Sequence, residues 1–247
     1  MRISYFVPPA PLVSARERGL LAGIALDESL TPSSAAQLAG LLSGELDLVV
    51  TAIDNLFEWS RTGAELRLLG QVEATTPLSV IAAPGIRSLA ELDGRTIGVD
   101  AYDNGFALVA RDRLQRAGVR AQWIEVGGVS ERFEALAGRS IAATLLGPPF
   151  EERARAAGFV ELFRVQDEFP TFPGQGLVAR ADVLGAPEFE HLYSALCASG
   201  LLPVEREGLD LLIRFRSRLG LLPPNFDLSA TLVHEDPSLD ITRRGAS

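Results

Sequence analysis

The chain has 247 residues, 47% of them hydrophobic and 22% charged, so it is long and apolar enough to bury the core of one large domain or two modest ones. Its net charge of −9, with no long basic run, argues against nucleic acid or an anionic membrane as a partner. All 23 basic residues are arginine, which excludes reactions that need a lysine Schiff base or a P-loop lysine.

The amino-terminal segment gives no sign of a targeting sequence. Pro8, Pro9 and Pro11 interrupt its apolar residues, so no secretory leader is visible. Because no uncharged apolar run reaches about 18 residues, we expect no membrane span. Localisation stays open: the protein is cytoplasmic as the sequence stands, or periplasmic or otherwise extracytoplasmic if a leader has been removed. The lone Cys197 permits no internal disulfide and no cysteine metal cluster.

The first part of the chain alternates short apolar strands with helices. Strands are predicted at 3–7, 24–29 and 46–51. Helices are predicted at 12–21, at 31–44 and from 55 to 59. This βαβαβα order is typical of a mainly parallel sheet.

The alternation then breaks and starts again. Segments 66–72 and 78–82 follow one another as strands with no helix between them, which predicts a change of topology. A second βαβαβ unit covers 96–146. The run 147–150 ends its last strand, a helix follows, and further strands are predicted at 160–165 and 176–179. Residues 182–222 are mostly helical in pattern. Two α/β lobes joined by crossing strands, with a helical carboxyl segment, explain this order.

The turn at residues 100–105 is the clearest candidate for a binding loop. It joins the predicted strand 96–99 to a helix, and its sequence is Asp-Ala-Tyr-Asp-Asn-Gly. Such a turn brings backbone N–H donors and short side chains to the carboxyl edge of a sheet, where open α/β folds bind ligands. It predicts half of a small-molecule cleft. The alternative is an ordinary helix cap made by Asp103 or Asn104.

Several segments, taken in their order along the chain, carry a family resemblance. They are residues 16–20, 31–37, 42–47, 54–55, 89–99 and 146–149, and the strongest is the Glu-Leu-Asp-Gly-Arg-Thr-Ile-Gly-Val run at 91–99. Together they resemble the type II solute-binding proteins of ABC importers, nearest to the branch that binds nitrate, sulfonates and thiamine precursors. The resemblance covers roughly residues 1–200.

The resemblance implies an α/β fold: a two-lobed, periplasmic-binding-protein-like (type II) clamshell with mixed, mainly parallel sheets. Lobe I would comprise residues 1–83 and 177–247, and lobe II residues 84–176. The ligand would lie in the crevice between them, held by loops after the strands and by helix amino termini. In lobe I the implied contacts are Pro9, Ser33, Ser34, Thr51, Asp54 and Asn55. In lobe II they are Tyr102, Asp103, Asn104, Pro149 and Phe150.

Simpler roles compete for most of these residues. Helix capping alone would explain Ser33, Ser34, Asp54 and Asn55. Core packing or contact between the lobes would equally explain the two aromatic residues, Tyr102 and Phe150.

The predicted loops indicate the chemistry of the ligand. Helix amino termini favour an anionic group, but Asp54 and Asp103 would repel one, and no arginine in these loops offers a bidentate clamp. The balance favours a mostly apolar or aromatic molecule with one or two polar groups. An ABC permease is a possible protein partner.

We therefore expect a substrate-binding protein of the ABC-transporter type, and no cofactor. His191 and His234 have no sequence partner that would define a metal site or a catalytic triad, so we expect no metal and no catalytic residue. The alternative is a cytosolic enzyme on the same fold, such as a menaquinone-pathway-like lyase or a desulfinase-like enzyme.

Overall fold

The computed structural model of the chain describes residues 1–103, 105–222 and 226. Its strands are β1 Arg2–Tyr5, β2 Asp27–Leu30, β3 Leu48–Ala52, β4 Leu66–Gln71, β5 Ser79–Ala82, β6 Thr96–Val99, β7 Gln122–Glu125, β8 Ala143–Leu146, β9 Val160–Arg164 and β10 Gln175–Arg180. Its α-helices are α1 Ala10–Glu17, α2 Ser34–Ser43, α3 Asn55–Trp59, α4 Gly105–Arg116, α5 Val129–Ala137, α6 Phe150–Ala156, α7 Val165–Glu168, α8 Pro187–Ala198 and α9 Arg206–Arg218. Short 3₁₀ helices cover Ser60–Thr62, Leu89–Leu92 and Ala181–Val183.

The strands form two five-stranded sheets with matching architectures. The first has the order β2-β1-β3-β10-β4 and the second the order β7-β6-β8-β5-β9. In each sheet the fourth strand, β10 or β5, runs antiparallel to both of its neighbours, and the other strands are parallel. The predicted mixed, mainly parallel sheets are therefore present in both halves of the molecule.

Two crossings of the chain connect the sheets, from β4 to β5 and from β9 to β10. A lobe limit at residue 83 would group β5 with the first sheet, whereas its backbone pairs with β8 and β9 of the second sheet. All four residues of β5 are buried, as expected for a strand between two others. The break in alternation at 66–82 thus marks the first crossing, between β4 and β5.

Local signals set the ends of the first two helices. The Ser33 side chain accepts a hydrogen bond from the backbone N–H of Ala36 and caps α2, which ends at Gly44 with a positive φ of 75°. Helix α1 is shorter than the sequence predicts. It ends at Glu17 because Gly19, with φ of 71°, turns the chain into the left-handed region soon after the helix.

One of the apolar clusters of the core continues from one sheet to the other. It includes Ile53 and Phe57 beside the first sheet, Val99 and Leu108 beside the second, and Phe215 on α9. Helix α9 therefore packs against both halves rather than against one. Among the described residues, no helix is both long enough and apolar enough to cross a membrane.

Candidate functional site

The two halves of the molecule are in contact between the turn that follows β3 and the start of α4. A Cβ atom placed on Gly105 would lie 2.5 Å from the Cβ of Asp54. Only a residue without a side chain allows this approach, so Gly105 is required by the contact between the two halves. We call the end of the crevice next to Asp54 the inner end.

The predicted contacts at the inner end are buried and already hydrogen-bonded. Thr51 lies near the end of β3, and its Oγ1 accepts a hydrogen bond of 2.8 Å from Nδ2 of Asn55. Asp54 precedes α3 without a side-chain capping bond. The capping role considered for Asp54 is therefore not the one the structure shows.

Arg216 of α9 is the partner of Asp54. Its Nε and Nη2 atoms donate to the two Asp54 carboxylate oxygens over 2.8 and 2.5 Å, which is a bidentate ion pair. Nη1 donates to Oε1 of Glu58 over 2.5 Å, and Nη2 also donates to the backbone carbonyl of Asp103 over 2.8 Å. The side chain of Arg216 is 0% exposed and that of Asp54 2% exposed. The guanidinium therefore joins α3, α9 and the turn before α4.

Burial governs the titration of this pair. It raises the pKa of Asp54 above its ordinary value of 3.8, with Arg216 opposing the shift. Burial works to lower the pKa of Arg216, but the hydrogen bonds to Asp54 and Glu58 outweigh it, so this pKa is raised. Arg216 keeps its charge, which makes a carboxylate at this depth tolerable.

The other end of the crevice lies at the carboxyl ends of β1 and β2. Its surface is exposed and apolar, and we call it the outer end. Phe6 and Val7 follow β1 and are 40% and 69% exposed, and Leu30, the last residue of β2, is 69% exposed. The ends of β1 and β2 are adjacent, because the backbone N–H of Thr31 donates to the carbonyl of Tyr5 over 3.0 Å. Beneath them, the Tyr5 hydroxyl donates to Oε2 of Glu28 over 2.7 Å.

The remaining contacts predicted on the first half lie beside this outer end. Ser33 is exposed and caps α2, as the capping alternative expected, and Ser34 is the half-buried first residue of that helix. Pro9 is buried and precedes α1, with its carbonyl accepting from the backbone N–H groups of Leu12 and Val13.

On the second half, Tyr102 is the exposed aromatic residue of the edge. It is 41% exposed, and its ring centre lies 3.6 Å from the guanidinium carbon of Arg111. Arg111 also donates to the Asp103 carboxylate over 2.8 Å. Asn104, which the sequence predicts as a contact, lies outside the described residues.

The loop after β8 supplies the last two predicted contacts. Pro149 is exposed. Phe150 is half-buried, and its ring centre lies 5.6 Å from that of Phe133 on α5. The packing alternative for Phe150 is therefore the one with visible contacts.

Sequence reasoning did not single out two buried arginines. The signal for Arg216 was its position in α9, where it shares a face with Leu212 and Leu209, at helical spacings of four and seven. Arg132 of α5 donates from Nη1 to the carbonyl of Leu145 over 2.6 Å and from Nε to that of Gly127 over 3.1 Å, and burial lowers its pKa. It ties the start of α5 to β8.

A separate surface depression of about 890 Å³ lies at the opposite edge of the second sheet. Both signs of charge line it, with Glu91 and Asp93 beside Arg95 and Arg139. It lies away from every predicted contact. Within the described part of the chain, no group of three or more His, Cys, Asp or Glu residues is placed to hold a metal ion.

Comparison of the sequence with known protein families finds a match. Residues 9–191 match the family described as "NMT1/THI5 like". The sequence has no significant match among curated proteins.

Solved structures of similar fold cover nearly the whole chain. A ligand-binding component of an ABC-type import system from Staphylococcus aureus, with zinc bound, has a TM-score of 0.76 at 15% identity and covers 100% of this chain and 98% of its own. The aliphatic sulphonate binding protein SsuA from Escherichia coli has a TM-score of 0.70 at 17% identity.

 The SsuA match covers 94% of this chain and 96% of that protein. The alkanesulfonate-binding protein SsuA from Xanthomonas axonopodis pv. citri, bound to MOPS, has a TM-score of 0.68 at 19% identity and covers 91% of this chain and 80% of its own. These likenesses confirm the predicted two-lobed fold.

Proposed function

Because the chain belongs to the NMT1/THI5-like family, we propose that it binds a small organic molecule in the crevice between its two lobes, as the substrate-binding component of an ABC-type importer. Membership confirms the family resemblance inferred from the residues. The ligand would lie at the outer end of the crevice, where the edges of the sheets are exposed.

The observation that carries this proposal is the apolar surface at the outer end. Single exposed apolar side chains are ordinary, but Phe6, Val7 and Leu30 lie together at the adjacent ends of β1 and β2. Tyr102 is the exposed aromatic residue on the edge of the other sheet. An apolar molecule enclosed between these edges would remove this surface from water, which favours binding.

Charge pairing supports a mostly apolar or aromatic ligand with one or two polar groups. The arginines that reach the edge, Arg111 and Arg216, are each paired with a carboxylate, of Asp103 and Asp54 respectively. A compact, multiply charged anion would have to compete with these carboxylates. Two of the similar structures are named as sulfonate-binding proteins, and an alkanesulfonate likewise joins an apolar chain to one charged group.

Native mass spectrometry of freshly purified protein tests the proposal, followed by calorimetry with the molecule identified. Val7→Asp places a charge in the apolar surface and is expected to abolish retention of the molecule. Leu42→Asp is the matched control, since Leu42 is also exposed and lies near the far end of α2. Equal retention by both variants and the unmodified protein would contradict an outer-end site.

The same experiment separates transport from catalysis. A permease partner and a binding role predict that the bound molecule is recovered chemically unchanged after long incubation. Turnover of that molecule would instead favour the enzyme alternative.

A further inference from the structure

The ion pair of Arg216 has a role beyond neutralising Asp54, because it connects the two lobes. We propose that Arg216 is the positioning residue of the crevice: carried by α9, it links the Asp54 carboxylate of one lobe to the Asp103 carbonyl of the other and holds the inner end closed. This inference rests on the proposed function, since it concerns how the proposed binding crevice is shaped.

The geometry requires both lobes to be in place at once. The guanidinium reaches Asp54 through two hydrogen bonds and the Asp103 carbonyl through a third. Gly105 lies against Asp54 at the same point, with no room for a side chain. If α9 stays with the first lobe, moving the lobes apart here breaks the hydrogen bond to the Asp103 carbonyl. If α9 moves with the second lobe, it breaks the ion pair and leaves a buried carboxylate and a buried cation without partners, and either loss is costly.

Helix α9 is anchored so that Arg216 cannot simply follow one lobe. At its amino end, Gly208 packs against the crossing segment, where an added Cβ would lie 2.9 Å from the Thr171 carbonyl oxygen. Near its carboxyl end, Nε of Arg218 donates to Oδ1 of Asp112 on α4 over 2.6 Å. The helix therefore contacts a chain crossing, the first lobe and the second lobe.

The consequence is a crevice closed at one end by the protein itself. A ligand would have access to the outer end only, and the lobes would move by swinging about the inner contact. Arg216 would thereby limit the size of the ligand by fixing how far the lobes separate.

The test measures lobe separation by electron paramagnetic resonance between two spin labels, without added ligand. Labels at Glu45→Cys in the first lobe and Glu152→Cys in the second, both exposed positions, are placed in a Cys197→Ser background, since Cys197 is the sole cysteine. The variant is the Asp54→Asn/Arg216→Gln pair, which removes both charges together and so avoids stranding either one.

We expect the fraction of molecules with a longer distance between the two labels, which is the open state of the lobes, to rise at least tenfold in the double variant. The control, Arg214→Gln, changes an exposed arginine on the same helix and is expected to leave the distribution unchanged. A distribution in the double variant that matches the unmodified protein would overturn the proposal.

Arg216→Lys provides a second reading if the double variant fails to fold. Lysine keeps the charge beside Asp54 but cannot bridge both carboxylate oxygens and the Asp103 carbonyl together. It is expected to open the lobes partly, and an unchanged distribution would overturn the proposal. A merely structural role would lower stability without changing the distance. Failure to find any bound molecule would count against the proposed function alone, since this measurement uses no ligand.

Discussion

The two ends of the crevice are built from the same kind of element and have opposite surfaces. Each consists of turns that follow parallel strands at the carboxyl edge of a sheet. At the outer end these turns expose Phe6, Val7 and Leu30, whereas at the inner end Asp54 is buried under Arg216. The difference comes from α9, which covers only the inner end. A turn of this type therefore marks a sheet edge where ligands can bind. Which section of that edge is accessible to a ligand depends on a helix that is distant in sequence, here α9.

The largest effect is expected from breaking the inner end. Arg216→Gln leaves Asp54 buried without its ion pair, so we expect the free energy of unfolding to fall by about 3–5 kcal/mol. Urea unfolding at neutral pH measures it. The Asp54→Asn/Arg216→Gln pair is expected to recover most of the loss, and Arg214→Gln to stay within about 0.5 kcal/mol of the unmodified protein. Equal losses in the single and double variants would show that the buried charge is not the cause.

Crowding the inner contact is expected to cost less. Gly105→Ala places a methyl group where the side chain of Asp54 already lies, so we expect a loss of about 1–3 kcal/mol. Gly185→Ala is the matched control, because nothing lies within 4 Å of its added Cβ. Indistinguishable unfolding curves for the two variants would mean that the lobes do not meet at Gly105 in solution.

The outer end is expected to affect binding and not stability. Phe6→Ala or Tyr102→Ala removes part of an apolar contact worth about 1 kcal/mol, so affinity for the identified molecule should weaken by about fivefold. Calorimetry measures the change, and Leu42→Ala is the control. If Asp54→Asn/Arg216→Gln weakens affinity and both aromatic variants leave it unaltered, the ligand binds at the inner end.

The smallest effect concerns the strands beneath the outer end. Burial, and then the hydrogen bond to Glu28, raises the pKa of Tyr5 from 10.0 to about 12. The folded protein holds this proton more tightly than the unfolded chain, so the stabilisation is complete below pH 10 and is lost as the pH rises towards 12. Tyr5→Phe should remove this part of the alkaline decline in urea unfolding. An identical decline in both proteins would rule out Tyr5 as its source.

The strand pattern could be predicted because it is local. Apolar runs such as those of β3 and β8 are bounded by turn residues, and the alternation of strands and helices is typical of parallel sheets. The missing helix between β4 and β5 likewise indicated the crossing. The sheet that β5 joins depends on pairing with β8 and β9, which no local pattern specifies.

The candidate site was predicted only as far as its turns. Asp54 and Asn55 were recognisable as polar residues after a buried strand, with capping or ligand contact as the options. The actual partner of Asp54 lies 162 residues further along the chain. An arginine on an apolar helix face signals an internal ion pair, but its spacing does not say which carboxylate it meets. The lobe limits and the individual ligand contacts stay predictions.

The position of β10 imposes an order on folding. Within the described residues, its neighbour β4 pairs with no other strand and has only a single backbone bridge besides, from Gln71 to Leu202. Gln71 of β4 pairs with Gly176 of β10 across the whole intervening lobe. The second sheet draws all its strands from residues 79–164, so it can be completed while the first still lacks its fourth strand. On the ribosome, the internal lobe would therefore be assembled first and the discontinuous lobe would close around it, because distant strands join only after a large loop has been closed. Arg216, which follows β10, would form its hydrogen bonds last, after the two lobes had folded at different times.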